Sequence, residues 1–313
     1  MQSLTLPLEK CAPESIGVVI TTYNQPEWLD KVLLGYEAQT FTDFRVLIAD
    51  DGSGDATRAV IDAAKQRGKL DIEHVWHEDR GFRKCQILNK VIFQTDCDYL
   101  IFTDGDCIPE PDFVAQHRTL AQPGYFLSGG YVKLSMPVST TIKPSDIATG
   151  APFSINWLTR KGQPGSHKLW KLVKPQWLKI LLNEITPTKA TWNGMNSSTW
   201  TEAIRACNGF NEEMQYGGLD RELGERLYNL GVKGKQVRYS ISCLHLDHPR
   251  TYDNPQTWAK NYAIRDEVKR LGLYWTPNGI SKTSLPSTAF AVKTPPITRR
   301  PLATTPKPKA AII

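Results

Sequence analysis

With 313 residues the chain can form one large α/β domain or two small ones, and its 40% hydrophobic and 22% charged content is ordinary for a soluble globular protein. The formal net charge of +6 belongs to the end of the chain, because residues 281–313 carry six lysines and arginines and no acid. The residues before them hold 32 basic and 32 acidic side chains. We therefore expect no nucleic-acid partner, which would need a basic face on the body of the protein.

The six cysteines form no C-x-x-C pair and no dense set, which fits a reduced compartment where they act as small apolar side chains. No signal-peptide pattern opens the chain, and no apolar run approaches the ~20 residues that a membrane span needs. We expect a cytoplasmic protein, and we leave open a peripheral contact with the inner face of the membrane.

After a loose leader expected at residues 1–14, apolar strands alternate with amphipathic helices. The pattern predicts strands at 16–20, 44–49, 72–76, 100–102 and later 237–242, a helix beginning at Pro26, and helices at 57–65 and through Asn89 to about Phe93. This alternation predicts a mostly parallel, doubly wound α/β sheet with right-handed crossovers. The polar residues that follow each strand should then meet at one edge of the sheet, where such folds bind ligands.

Two carboxylates, Asp104 and Asp106, follow the fourth of these strands with only Gly105 between them. Carboxylates that converge in a crevice repel each other unless a cation or protons lie between them, and oxygen ligands suit Mg²⁺ or Mn²⁺. Most Asp-x-Asp sequences are solvated loop acids. The position directly after a buried strand favours a metal role here.

A second acidic segment, at residues 50–55, follows the second predicted strand. Its Asp-Gly and Ser-Gly pairs are consistent with a plain turn. A carboxylate just past the second strand is also where nucleotide-binding folds hold a polar group of the nucleotide. Since the chain has neither a G-x-G-x-x-G fingerprint nor a Walker A loop, the phosphates of a nucleotide would need a metal, which Asp104 and Asp106 could hold.

Four segments carry a resemblance to a known family: Thr21-Thr-Tyr-Asn24, Ala49-Asp-Asp-Gly-Ser53, Glu78-Asp-Arg-Gly-Phe-Arg83 with Asn89, and Phe102-Thr-Asp-Gly-Asp106. They resemble the ordered motifs of family 2 glycosyltransferases, which have the Rossmann-like GT-A fold. The later segments 194–197, 208–213 and 216–222 resemble the galactosyltransferase-like acceptor half of chondroitin-polymerase-type and bacterial surface-polysaccharide members. The resemblance spans about residues 16–250, and the order of the motifs makes it specific.

The resemblance implies a donor site for a nucleotide sugar, usually a UDP-sugar. Asp51 would bind the uracil or the ribose, and Asp104 would contact the ribose or the metal. The other donor-site residues that it implies are Thr21, Tyr23, Arg83 and Asn89. Asp106 and His245 would hold the metal, Mn²⁺ or Mg²⁺, with His248 as the alternative to His245. An ordinary polar loop is the other interpretation of the two histidines.

For the second half, the resemblance implies a general base at Asp220, in a helix predicted over 220–230. A base there would remove the proton of the acceptor hydroxyl while the anomeric carbon inverts. Asp220 could instead only cap that helix. The resemblance also assigns acceptor contact to Asn196, Gly218 and Leu219. Leu219 replaces the glutamate that is usual in the family, which leaves the identity of the acceptor open.

These assignments give a donor-binding half at 15–132, an insertion at 133–190, an acceptor and base half at 191–280, and a disordered, basic, Pro-rich tail at 281–313. Within the insertion, residues 167–182 mix lysines with tryptophans and leucines, as helices that lie on anionic membranes do. A packed lid is the alternative, because Pro175 interrupts the pattern.

We therefore expect a metal-dependent, inverting glycosyltransferase that transfers a sugar from a UDP-sugar to a saccharide or glycolipid acceptor in surface polysaccharide or lipopolysaccharide synthesis. The lack of a Gln-x-x-Arg-Trp motif indicates transfer of one sugar rather than polymerisation. One rival is a sugar-1-phosphate nucleotidyltransferase, whose Gly-rich, Arg-containing loop after the first strand is missing. The other is a non-catalytic module that binds nucleotide sugars.

Overall fold

The computed structural model describes residues 12–249 and 254–282. Most of the leader expected at 1–14 and of the tail expected at 281–313 lies outside the described residues. Within the described part of the chain, no helix is both long enough and apolar enough to cross a membrane.

Strands and helices alternate regularly up to the fourth strand and less regularly after it. The strands are β1 Ile16–Thr22, β2 Arg45–Asp50, β3 Asp71–Trp76, β4 Tyr99–Asp104, β5 Cys107–Pro109, β6 Tyr125–Ser128, β7 Gly130–Lys133, β8 Ser197–Trp200, β9 Lys233–Gln236 and β10 Ser242–His245. The helices are α1 Pro26–Glu37, α2 Asp55–Arg67, α3 Lys84–Gln94, α4 Phe113–Leu120, α5 Met136–Thr141, α6 Pro144–Ala148, α7 Ile155–Arg160, α8 Gln176–Ile185, α9 Thr201–Ala206, α10 Leu219–Asn229 and α11 Pro255–Leu271. The elements predicted before residue 105 are all present, with small shifts at their ends.

The larger sheet has seven strands in the order β3-β2-β1-β4-β8-β6-β9. β3, β2, β1 and β4 are parallel, whereas β8 runs antiparallel to both β4 and β6. In β1, Val18 and Ile20 join the core that includes α1, and Val19 joins the opposite core that includes α3. Burial on both faces explains the continuous apolar runs of these strands, and the predicted mostly parallel α/β sheet is confirmed.

A smaller sheet, β5-β10-β7, joins the end of the fourth strand to the C-terminal half. Its register pairs Cys107 with His245. The N–H of Leu246 also donates to the carbonyl of Asp106 at 2.8 Å. The strand predicted at 237–242 is wrong, because the chain makes a hydrogen-bonded turn there and β10 begins only at the last residue of that range. This small sheet places the first of the two histidines beside the Asp-Gly-Asp sequence.

The insertion at 133–190 packs onto the α1 side of the larger sheet. It contains α5 to α8 and two short 3-10 helices, Ala151–Phe153 and His167–Leu172. Except for Ala190, its buried apolar side chains belong to the same core as those of α1, and they include Val138, Ile142, Ile147, Phe153, Leu158, Leu169 and Leu172. The insertion is therefore an integral part of the fold.

Candidate active site

The turn Asp104-Gly105-Asp106 links the two sheets, since β4 ends at Asp104 and β5 begins directly after Asp106. The N–H of Gly105 donates to the carbonyl of Thr21 at 2.7 Å. A Cβ at Gly105 would lie 2.9 Å from the same oxygen, so a larger residue would push the turn away from β1. Carboxylate oxygens of both aspartates lie within 4.8 Å of each other and of the Sγ of Cys107. The two acids thus converge at this edge.

Asp104 faces a hydroxyl group and an ammonium group. Its Oδ1 accepts hydrogen bonds from Oγ1 of Thr21 at 2.7 Å and from Nζ of Lys84 at 2.6 Å. Burial by itself would lower the pKa of Lys84, but the charges of Asp104 and Asp220 outweigh it and raise that pKa. The lysine is therefore a fixed positive charge in the field of two carboxylates.

Lys84 is the site residue that the sequence analysis missed. It is the first residue of α3, directly after Arg83. A cation is disfavoured at a helix N-terminus, where the helix dipole is positive, unless an acid pairs with it. A lysine at the first position of a helix, in a segment already assigned to the site, could therefore have indicated an acidic partner nearby.

Asp220 lies in the first turn of α10, whose N-cap is Gly218 with φ +83°. The alternative in which Asp220 caps the helix is therefore wrong. Its Oδ1 is buried and has no hydrogen-bond partner within the described chain, and a Cβ on Gly194 would lie 2.6 Å from it. Burial raises the pKa of Asp220, the charge of Lys84 lowers it, and that of Asp104 raises it further, so the net shift is upward. A carboxylate that has an oxygen without a hydrogen-bond donor and a raised pKa is suited to accept a proton.

Asp106, His245 and His248 form a cluster at the other acid of the turn. Nε2 of His248 lies 3.0 Å from Oδ2 of Asp106, and Nε2 of His245 lies 3.7 Å from it. The imidazole rings are stacked with their centroids 5.7 Å apart. Burial raises the pKa of Asp106, but the hydrogen bond from His248 and the nearby His245 outweigh it and hold that pKa below its ordinary value. Both histidines, rather than one or the other, lie beside Asp106.

This cluster fits a divalent cation. One nitrogen or oxygen atom from each of Asp106, His245 and His248 lies within 4.8 Å of the other two. Nδ1 of His245 is also buried without a hydrogen-bond partner among the residues described. Imidazole nitrogens with a carboxylate are a common donor set for metals. A cavity of about 330 Å³ opens beside His248 and is lined on its other side by residues 24–28.

Asp51 follows the end of β2 in a polar network near the same edge. Its Oδ1 lies 2.7 Å from Nε2 of His77, and its Oδ2 accepts from the backbone N–H of Arg83 at 2.9 Å. Burial raises the pKa of Asp51 and outweighs these contacts, which lower it. Tyr23, at the end of β1, is 49% exposed and donates its hydroxyl to Asp79 at 2.9 Å. The edge therefore presents an exposed aromatic ring and a buried carboxylate.

Four other predicted contact residues serve the fold. Asn89 exchanges hydrogen bonds with the backbone of Phe210, at 2.9 Å and 2.7 Å. Asn196 is fully buried and donates to two backbone carbonyls. Leu219 packs in the apolar core, and Gly218 supplies the left-handed N-cap of α10. These contacts of the four residues hold the segments around the site in place.

Solved structures show the fold to be that of the GT-A glycosyltransferases. The mannosyltransferase PcManGT of Pyrobaculum calidifontis, solved with GDP-Man and Mn²⁺, gives a TM-score of 0.51 at 18% identity over 77% of this chain and 59% of that one. S. aureus TarS 1–349 in complex with UDP gives 0.54 at 16% identity over 84% and 67%. GalNAc-T7 with UDP, GalNAc and Mn²⁺ gives 0.55 at 14% identity over 83% and 48%.

The glycosyl transferase family 2 model matches residues 17–177, and the chain therefore belongs to family 2 of the glycosyltransferases, enzymes that use nucleotide sugars. Validoxylamine A glucosyltransferase of Streptomyces hygroscopicus subsp. jinggangensis is 26% identical over 262 residues, which cover 76% of this chain and 57% of that protein. Chondroitin synthase of Escherichia coli is 26% identical over 274 residues, or 83% and 39%. The chain thus spans less than two thirds of either relative. Because the chain belongs to the glycosyltransferase family, it is not the sugar-1-phosphate nucleotidyltransferase considered above.

Proposed function

We propose that the protein is a metal-dependent, inverting glycosyltransferase that transfers a sugar from a UDP-sugar to a saccharide or lipid-linked saccharide, in the synthesis of cell-surface polysaccharide or lipopolysaccharide. The observation that carries the proposal is the pair of arrangements at the turn 104–106. One acid lies beside two histidines, and the other pairs with a lysine next to the open carboxylate of Asp220. A cation can stabilise the leaving diphosphate, and a general base can deprotonate the acceptor hydroxyl in an inverting transfer.

Asp106, His245 and His248 would hold the cation. Imidazole nitrogens with one carboxylate suit Mn²⁺ better than Mg²⁺, which prefers oxygen ligands and retains several waters. When bound, the ion would neutralise the charge that develops on the leaving diphosphate. Of the two ions predicted, we therefore propose Mn²⁺. Two solved structures of similar fold contain it.

Asp220 is the proposed general base. Its Oδ1 is buried and accepts no hydrogen bond within the described residues, so an acceptor hydroxyl that reached it would supply the missing donor. Lys84 acts as a positioning residue, because it holds Asp104 and its charge keeps the pKa of Asp220 lower than burial would leave it. Lys84 therefore favours the ionised form of Asp220, which is the form that accepts a proton. The acceptor oxygen attacks opposite the leaving diphosphate, and the anomeric carbon inverts.

Asp51 and Tyr23 are the proposed contacts for the uracil and ribose, with Thr21 and Asp104 next to them at the same sheet edge. The carboxylate of Asp51 is held in place by His77 and by a backbone N–H, so it is ordered before a nucleotide binds. S. aureus TarS 1–349, of similar fold, was solved with UDP and with UDP-GlcNAc. GalNAc-T7 also contains UDP, whereas the mannosyltransferase contains GDP-Man, so we propose UDP and include GDP-mannose in the test.

Nucleotide release tests the proposal. UDP or GDP release is measured from a panel of UDP-sugars and GDP-mannose, with Mn²⁺ or Mg²⁺, for the wild type and for Asp106→Ala, His245→Ala and His248→Ala. We expect release from a UDP-sugar with Mn²⁺. Each variant should need at least about 100-fold more Mn²⁺ for half its maximal rate, because even a lost second-shell partner costs 10–100-fold in metal affinity.

His167→Ala is the matched control, since His167 is an exposed histidine of the insertion and lies outside the cluster. Its Mn²⁺ requirement should equal that of the wild type. A wild type that releases no nucleotide from any donor contradicts the proposed function. Release that is independent of metal contradicts the proposed metal dependence, and metal-dependent release that survives the changes at His245 and His248 contradicts only the proposed metal ligands.

A further inference from the structure

Helix α8 turns its apolar side to solvent and its lysine to the protein. Trp177 is 69% exposed, and Ile180, Leu181 and Ile185 are exposed as well. Lys179, in contrast, is 4% exposed. Amphipathic helices on a protein surface normally face the core with their apolar stripe. The orientation of α8 is therefore inverted, and it creates an apolar patch of the kind that marks an interaction site.

Polar contacts fix α8 in this orientation. Nζ of Lys179 lies 3.5 Å from Oε2 of the buried Glu110. The side chain of Asn183 donates to Oγ of Ser240 at 2.7 Å and accepts from the N–H of Tyr239 at 2.9 Å. Rotating the helix to bury its apolar side would break these contacts and leave the buried Glu110 with only the exposed Lys174, 3.4 Å from its Oε1, which is costly. The exposed apolar face is thus a stable feature of the fold.

The chain around this face is basic. Residues 147–190 hold seven lysines and arginines and a single acid, Glu184, and five of the seven basic side chains remain when Lys174 and Lys179, which pair with Glu110, are set aside. Lys168 and the 57% exposed Trp170 lie in the 3-10 helix just before α8. A second copy of the chain is a poor occupant, because a two-fold contact would bring these like charges together. An anionic lipid surface suits both features, since apolar side chains enter the acyl boundary while lysines meet the head groups.

We propose that α8 and the 3-10 helix before it dock the protein onto an anionic membrane surface. The docking segment is attached beside the metal cluster. Nζ of Lys171 donates to the carbonyl of Tyr131 at 2.8 Å, and the ring of Tyr131 lies 6.1 Å from that of His245. Docking would hold the active site at the bilayer, within reach of a lipid-linked acceptor. That consequence rests on the proposed function, whereas the docking itself does not.

Co-sedimentation of the full chain with vesicles tests the docking. Vesicles of neutral phosphatidylcholine are compared with vesicles that also contain anionic phosphatidylglycerol. We expect binding to the anionic vesicles at low salt. Trp177→Ser/Ile185→Ser should weaken it by about tenfold or more, since two large apolar side chains no longer enter the bilayer. Lys168→Glu should also weaken binding and make it less sensitive to salt.

Phe93→Ser/Leu271→Ser is the matched control, because it removes two exposed apolar side chains that lie on α3 and α11. It should bind as the wild type does. A wild type that does not sediment, or a Trp177→Ser/Ile185→Ser variant that binds equally well, overturns the proposal. The proposal is also overturned if the wild type is a dimer that does not bind vesicles and Trp177→Ser/Ile185→Ser makes it a monomer. That result would assign the face to contact with a second copy of the chain. Nucleotide release is measured separately in solution, so a failure of catalysis is distinguished from a failure of docking.

Discussion

Two ion pairs of the described structure resemble each other in geometry but differ in their surroundings. Arg226 and Glu222 lie one turn apart on α10, with side chains 0% and 1% exposed. The guanidinium donates to both oxygens of Glu222 and to two backbone carbonyls. Lys84 and Asp104, at the sheet edge, are 19% and 24% exposed. The first pair is satisfied entirely within the fold, whereas the second is partly exposed to solvent.

The second pair also has a neighbour that is left unsatisfied. Asp220 keeps a buried oxygen without a partner among the described residues, and its pKa is raised. A buried ion pair alone therefore does not indicate a catalytic site. A neighbouring polar group without a hydrogen-bond partner does. Changes to the pair on α10 should lower stability and spare turnover. Changes around Lys84 should lower turnover and spare stability.

The largest effect is expected at Asp220. Asp220→Asn keeps the shape of the side chain but removes the base, so kcat should fall by about 10³-fold, within the range for general-base catalysis. The dissociation constant for the UDP-sugar, measured by calorimetry, should stay unchanged. Gly194→Ala, which places a methyl group against Oδ1, should reduce kcat in the same direction. An Asp220→Asn variant with full activity would remove the base assignment.

The second prediction tests the ion pair on α10, which should affect stability rather than turnover. Arg226→Met leaves Glu222 buried without its partner, which should cost about 3–5 kcal/mol of unfolding free energy. Urea denaturation measures this loss, and kcat per folded molecule should stay unchanged. If the variant does not fold, Arg226→Lys keeps the charge and should show a smaller loss of the same kind. A drop in kcat without a drop in stability would contradict the structural role of this pair.

Lys84→Met should lower kcat by roughly 100-fold, as the loss of a preorganised charged donor does. The charge of Lys84 lowers the pKa of Asp220, so its removal raises that pKa further. Because the base acts in its ionised form, the acidic limb of the kcat/KM profile should move to higher pH. Lys90→Met, an exposed lysine on the same helix, is the control and should leave the profile in place. An acidic limb that does not move would contradict the positioning role.

The smallest effect is a gain in stability from Asp220→Asn. Burial raises the pKa of Asp220 in the folded chain above its value in the unfolded chain. Its contribution to stability is therefore fully present at low pH and is lost as the pH rises through the folded pKa. At neutral pH the ionised carboxylate costs stability, and the neutral amide should restore about 1 kcal/mol. Thermal unfolding at pH 7 and at low pH measures this difference, which should shrink at low pH.

The sequence predicted the first half of the fold well because its signals are local. Apolar runs mark the parallel strands, and parallel strands carry their polar ends to one edge. This reasoning brought Thr21, Asp51 and Asp104 together before the structure did. The bounds of α1 to α3 followed from helical periodicity in the same way.

The second half could not be predicted as well, because its arrangement depends on long-range pairing. β8 inserts next to β4 and runs antiparallel to it, which no local pattern indicates. Residues 237–242 have a composition typical of a strand but form a turn. Asn196 was predicted to contact the acceptor, but its side-chain amide donates hydrogen bonds to backbone carbonyls that are distant in sequence. Lys84 was overlooked because its acid partner lies 20 residues away.

The stereochemistry of the transferred sugar tests the central claim most directly. Methanol serves as a surrogate acceptor with the active UDP-sugar and Mn²⁺, and NMR of the methyl glycoside reports its anomeric configuration. If Asp220 activates the acceptor for a single displacement, the product from an α-linked UDP-sugar is the β-glycoside. An α-glycoside would contradict the assignment of Asp220 as the base of an inverting transferase.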